Sequence, residues 1–226
     1  MVGMTATADR REARVMRPLY VLVLAVCGLA LVVAASLIAR DGTVGPVERA
    51  VFEAINGLPD FLRWPMWIFQ LAGLVGLPLV VAAGALAFRK VRLAIAAVLA
   101  IPLKLYVEQP VLKSLIDRER PGQTESDPIL RDVPASGPSF PSGHAVIAFT
   151  LATLLAPYLG RRWQVVVWSV AVMNSVARVY LGAHNPLDVV AGAGAGLAIG
   201  GLLTLVVGVP ERRRRADDPD TGGHQV

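Results

Sequence analysis

Apolar residues in this chain gather into six long runs separated by short polar or charged connections. A bilayer core of roughly 30 Å is crossed by about 20 apolar residues in a helix. Residues 18–39, 65–88, 163–181 and 187–209 fit that length. Residues 93–112 are interrupted by Lys104, Glu108 and Pro110, and the run 145–159 spans only if the polar residues before it are included. The pattern predicts an all-α fold: a polytopic membrane protein of six transmembrane helices. Between the first two runs, Val47, Val51, Phe52, Ile55 and Leu58 recur at helical spacing. They predict a helix lying along the membrane interface, with Trp64 and Trp67 at headgroup depth. The small residues of "GAGAGLAIGG" in the last run predict close helix packing.

Composition agrees. The 226 residues are 54% hydrophobic and 17% charged, the latter below the roughly 25% of soluble domains. The net charge of +5 is not interleaved with aromatics on one surface, so no nucleic-acid partner is expected. Its distribution is topological instead. Arg10, Arg11, Arg14 and Arg17 precede the first run; Arg89, Lys90 and Arg92 lie between the second and third; Arg161 and Arg162 between the fourth and fifth; Arg212 to Arg215 after the sixth. These alternate connections hold 13 of the 22 basic residues, and the positive-inside rule assigns them to the cytoplasm. The expected organisation is a basic cytoplasmic segment (1–17), a six-helix domain (18–209) and a disordered cytoplasmic tail (210–226) whose His224 carries no chemistry. The first run also has the basic flank of a signal peptide, but its apolar stretch is long for one. The one cysteine, Cys27, excludes an intrachain disulfide and a cysteine metal site.

The connections left facing outward carry the chemistry. In "KSLIDRERPG", Lys113 and Arg120 are seven apart, close to two helical turns, so a continuing helix would put both on one face. In "PSGH", Pro141 and Ser142 suit the start of a helix, Gly143 leaves its backbone approachable, and His144 follows. A helix N-terminus with a hydroxyl and a bare glycine favours anions. In "RVYLGAHNPLDVVAG", Arg178 lies near the outer end of the fifth run, His184 lies in a turn, and Asp188 falls in the first turn of the sixth. Each piece has a plain alternative: a solvated loop, a helix cap, an aspartate complementing the helix dipole. Together, Lys113, Arg120 and Arg178 with a helix N-terminus call for a multiply charged oxyanion such as phosphate. His144, His184 and Asp188 supply the parts for nucleophilic and acid–base work. The same two histidines and aspartate could hold a metal, but three cations would repel it, so neither metal nor cofactor is expected.

In order and spacing, Lys113-x6-Arg120-Pro121, Pro141-Ser142-Gly143-His144 and Arg178-x5-His184-x3-Asp188 resemble the signature of the type-2 phosphatidic acid phosphatases. These are integral-membrane lipid phosphate phosphatases related to vanadium haloperoxidases and bacterial acid phosphatases. The resemblance runs by motif over about Lys113 to Gly192, and its one departure is Ala177 where the family usually has serine. It implies that His184 forms a phosphohistidine, Asp188 orients it, and His144 protonates the leaving oxygen. Lys113, Arg120, Ser142, Gly143 and Arg178 would hold the phosphate. The implied substrate is a lipid phosphate or diphosphate reached from the bilayer at the outer face of the plasma membrane. Undecaprenyl diphosphate or another polyprenyl diphosphate, phosphatidate and phosphatidylglycerol phosphate are all compatible, with a slight lean toward the polyprenyl diphosphates. A lipid-diphosphate phosphotransferase and a non-catalytic anionic-lipid binder are the alternatives; oligomeric state is left open.

Overall fold

The computed structural model describes residues 15–210. The expected N-terminal arginines 10, 11 and 14, the arginines 212–215 and the tail with His224 lie outside these. Ten helices follow in order: α1 (Leu19–Ala39), α2 (Pro46–Asn56), α3 (Arg63–Gln70), α4 (Leu77–Ala87), α5 (Val91–Tyr106), α6 (Lys113–Leu115), α7 (Pro121–Thr124), α8 (Gly143–Leu155), α9 (Arg161–Tyr180) and α10 (Pro186–Val207). Two-residue strands, Val15–Met16 and Val209–Pro210, pair antiparallel and tie the start of α1 to the end of α10. Among the described residues, α1 and α10 are each long and apolar enough to cross a membrane.

α10 is the central element. Several of its glycines stand directly against the backbone of neighbouring helices. A Cβ on Gly194 would lie 2.7 Å from the Gly28 carbonyl of α1, and one on Gly196 would lie 2.6 Å from the Val146 carbonyl of α8. The small-residue run therefore lets α1 and α8 pack backbone to backbone on α10, where dispersion contacts replace the hydrophobic drive that lipid removes. α1 leaves Leu19, Val26, Leu29 and Ile38 uncovered on its other side.

Two expectations change. The run 65–88 is not one straight helix: α3, with the 3₁₀ turn Leu71–Gly73, meets α4 at 67°. The junction holds Gly73, Gly76 and Pro78, and Leu74 is extended, so the i→i−4 ladder cannot continue. α2 is not merely an interfacial helix either. Val47 and Val51 are exposed, while the buried face carries Glu48, Phe52 and Asn56 at four-residue spacing. Two of those three are polar, and both find partners in the protein.

The basic connections collect at one end of the bundle. Arg17 donates to the Leu205 carbonyl (2.8 Å), Arg92 donates to the Val207 carbonyl (2.5 Å), and Lys90 lies over the Tyr158 ring. The C-termini of α5 and α9 and the N-termini of α8 and α10 meet at the other end, about 33 Å away along the 22 residues of α10.

Candidate active site

At that second end a cavity of about 810 Å³ is lined by Lys113, Arg120, Gly143, His144, Arg178 and His184. Three connections far apart in sequence thus converge on one concavity. Lys104 and Glu108 also line it, and one wall is apolar, formed by Leu74, Val75, Leu77 and Val80 around the α3–α4 junction and by Ile147 of α8. The junction is also what seats the first histidine: a Cβ on Gly73 would lie 2.5 Å from the Cβ of His144, so the 3₁₀ turn presses directly on the start of α8.

His184 sits in the turn between α9 and α10. Gly182 opens the turn at φ +77°, a conformation that glycine adopts without penalty. The turn is closed by Asn185, whose backbone N–H donates to Asp188 Oδ2 (2.8 Å). The His184 ring is buried, 4% exposed. Its Nδ1 lies 3.2 Å from Ser139 Oγ and 3.7 Å from Asp188 Oδ2, and Ser139 Oγ donates to the same Asp188 oxygen at 2.5 Å. The serine hydroxyl, not the carboxylate alone, is therefore the nearest partner of the imidazole, and the direct His184–Asp188 hydrogen bond implied by the family resemblance is replaced by a bridge. With Nδ1 turned to this pair, Nε2 is the nitrogen left for the cavity. Burial, aided by the charges of Arg178 and Arg120 and opposed by Asp188, pushes the His184 imidazole down to about 4.

The cations are held separately. Arg120 Nη1 donates to the Ala183 carbonyl (2.8 Å), beside His184. Arg178 Nη1 donates to Gln70 Oε1 (2.5 Å), and its buried Nε has no partner among the described residues. Lys113 pairs with Glu108 Oε1 at 2.9 Å, and Lys104 pairs with the other oxygen of the same carboxylate. Lys113 and Arg120 do not share a helical face. The helix stops at Leu115, Ile116 is extended, and a loop returns Arg120 to the cavity. Pro121 begins α7. Ser142 stands at the N-cap position of α8, but its hydroxyl makes no capping bond; it is fully buried and unpartnered among the described residues. Its backbone N–H donates instead to the Asp188 carbonyl (2.9 Å), which locks α8 to α10. A Cβ on Gly143 would stand 2.7 Å from Glu108 Oε2, so the glycine admits that carboxylate against the first turn of α8. Ala177, where the family usually has serine, is fully buried in an apolar cluster with Met66, Tyr180 and Leu181.

Sequence reasoning missed Ser139, Glu108, Lys104, Arg118 and Glu48. Arg118, read as part of a solvated loop, is 1% exposed. It donates through Nη1 to Asp188 Oδ1 (3.1 Å) and Glu48 Oε1 (3.0 Å) and through Nη2 to Glu48 Oε2 (2.5 Å) and the Thr43 carbonyl (3.2 Å). Lys104 and Glu108 did carry a signal, being opposite charges four residues apart inside an apolar run.

The helical scaffold thus brings two histidines and three cations around one cavity. The chain belongs to the PAP2 superfamily, which matches residues 87–212. It is 35% identical over 119 residues to a lipid A 4'-phosphatase of Bacteroides thetaiotaomicron, covering 49% of this chain and 52% of the relative. Over 116 residues it is 35% identical to phosphatidylglycerophosphatase B of Bacillus subtilis, covering 46% and 52%. The chain thus spans about half the length of these curated relatives. Among solved structures, LpxE of Aquifex aeolicus superposes with a TM-score of 0.56 at 26% identity, over 70% of this chain and 95% of that one. A PAP2-type phosphatidylglycerolphosphate phosphatase of Bacillus subtilis superposes with 0.62 at 24% identity, over 79% and 94%, and shows a shared fold.

Proposed function

We propose that the protein is a membrane lipid phosphatase that hydrolyses a phosphate or diphosphate monoester through a phosphohistidine at His184. The observation that carries this is the single cavity in which His184 and His144 face Lys113, Arg120 and Arg178 beside an apolar wall. His184 Nε2 attacks phosphorus, while Ser139 and Asp188 hold the Nδ1 proton and offset the positive charge that grows on the ring. Arg120, Arg178 and Lys113, with the first N–H groups of α8 and the unpartnered Ser142 hydroxyl, take the phosphoryl oxygens and stabilise the transition state. His144 protonates the leaving oxygen and then removes a proton from the water that cleaves the P–N bond. The apolar wall around Leu74, Val75 and Val80 accommodates the lipid portion, so the headgroup can react while the chains stay in the bilayer. Six spans, cytoplasmic termini and an outward-facing cavity in the plasma membrane complete the reading, supported by the gathering of Arg17, Lys90 and Arg92 at the opposite end.

The decisive experiment is phosphate release by purified protein in detergent, with EDTA present, from phosphatidate, phosphatidylglycerol phosphate and polyprenyl diphosphates. Release is expected for at least one of them and should vanish in His184→Ala. Release that survives this substitution, or that EDTA abolishes, would sink the proposal. Selective turnover of the diphosphates would bear out the lean toward polyprenyl diphosphate.

A further inference from the structure

Behind the cavity, Glu48, Arg118 and Asp188 form a chain that leads away from His184 into a different part of the molecule. Glu48 belongs to α2, outside the segment that matches the family. Both of its oxygens accept from Arg118, and Oε1 also accepts from the backbone N–H of Leu187 at 2.8 Å, the residue before Asp188. Arg118 in turn reaches Asp188 Oδ1, while Oδ2 serves Ser139 and the Asn185 N–H. The Arg118 side chain is fully buried, as is that of Asp188; the Glu48 side chain is 7% exposed. Burying charges this completely is costly unless their geometry is held, and here one guanidinium fixes a carboxylate of α2 and a carboxylate of α10 at once.

The formal charges show what the arrangement supplies. Arg118 with Asp188 alone would be neutral, leaving nothing to balance an imidazolium at His184. With Glu48 included, two carboxylates and one guanidinium leave one net negative charge, matching the single positive charge that His184 gains on attacking phosphorus. Replacing Glu48 by a neutral isostere would let Arg118 claim Asp188 fully and draw it from the Ser139 bridge.

We infer that Glu48 is a positioning residue of the active site: through Arg118 it holds Asp188 in place and keeps its charge available to His184. This rests on the phosphatase reading above for its kinetic consequence, but not for its structural one. The test uses full-length protein in detergent, with wild type, Glu48→Gln, Asp188→Asn and the double variant compared by phosphate release from phosphatidate or whichever lipid phosphate the wild type turns over. The ¹⁵N shifts of the His184 ring at neutral pH, which report its tautomer, are recorded alongside. Glu48→Gln should lower kcat by about ten- to hundredfold, the range for a lost charge-assisted hydrogen bond, with KM within about twofold. In the Asp188→Asn background it should cost almost nothing more, because both changes interrupt one chain. His184 should pass from a single Nδ1–H tautomer to a mixture. Should Glu48→Gln fail to fold, Arg118→Lys answers the same question, since an ammonium cannot serve both carboxylates in this geometry; the same kcat loss and tautomer change are expected. Unchanged kcat and tautomer, or losses that multiply in the double variant, would overturn the inference. An inactive wild type whose His184 tautomer still follows Glu48 would instead overturn the phosphatase reading and leave this one standing.

Discussion

His184 occupies a turn, and that placement sets its acid–base behaviour. Burial and two nearby guanidinium groups hold its imidazole at about 4, below the usual 6.5 or so for histidine. The ring is therefore neutral, with a free lone pair, throughout the physiological range. The sign for stability follows. The unfolded chain takes up this proton more readily, so the contribution of the neutral buried ring is complete above about pH 6.5 and is lost as pH falls toward 4. Histidine-selective NMR on a protein with only three histidines should show one ring titrating near 4 in His144→Gln and not in His184→Gln. A His184 midpoint near 6.5 would contradict this burial. Ser139 yields a second test. Ser139→Ala removes the hydroxyl between Nδ1 and Asp188 and should lower kcat by about tenfold with little change in KM; an unaltered kcat would show the bridge to be dispensable. The turn was legible in the sequence; the Ser139 bridge and the burial of Arg118 behind it were not. Ser139 lies five residues before His144 in a polar stretch, and Arg118 lies between Asp117 and Glu119, where a solvated loop is the natural reading. Whether a charge is buried depends on partners 70 residues away, here Glu48 and Asp188, which local pattern cannot supply.

Individual helices were legible where their own sequence decides them, and not where a neighbour does. The start of α8 at Gly143, the turn around Gly182 and the start of α10 at Pro186 follow from capping and turn residues, and all three position the cavity. The break between α3 and α4 lies within an apolar run, and the end of α6 at Leu115 within a polar one; hydropathy registers neither. Lys113 and Arg120 reach one cavity through a loop and not by the shared helical face that their spacing suggests. The contact between the segment after α5 and the start of α8 is equally hidden, since Glu108 stands against a glycine that any single-element reading explains as a cap. Gly143→Ala should therefore do more than alter a helix end. Its methyl group would displace the Glu108 carboxylate, and with it the Lys113 ammonium 2.9 Å away. Weaker phosphate binding is expected, as a rise in KM of about tenfold, equivalent to about 1.4 kcal/mol, with melting temperature nearly unchanged. An unaffected KM would mean that Lys113 finds the phosphate without Glu108.

The whole molecule separates two kinds of charge along one axis. Arg17, Lys90 and Arg92 gather where α10 ends, and the cations of the cavity gather where it begins, with the glycine-bearing helix packed between them. Basic residues in short connections resist translocation; the proposed orientation therefore assigns the first end to the cytoplasm and the cavity, at the other end of α10, to the opposite side. The apolar runs and the alternating basic connections suggest this orientation from sequence, because neither needs a tertiary contact to be seen. What they could not supply is which charged groups are spent inside the protein and which are left for a ligand. The orientation can be tested without any substrate. Cys27 is the only cysteine, so a Cys27→Ala background permits single reporters. Asp127→Cys, exposed in the loop beside the cavity end, should react in intact cells with a membrane-impermeant maleimide. Arg162→Cys, exposed at the start of α9, should react only after the membrane is opened. The reverse labelling would turn the cavity toward the cytoplasm and restrict its substrates to lipids of the inner leaflet. Labelling of both in intact cells would mean that the chain does not insert in one orientation, and the charge argument would fail with it.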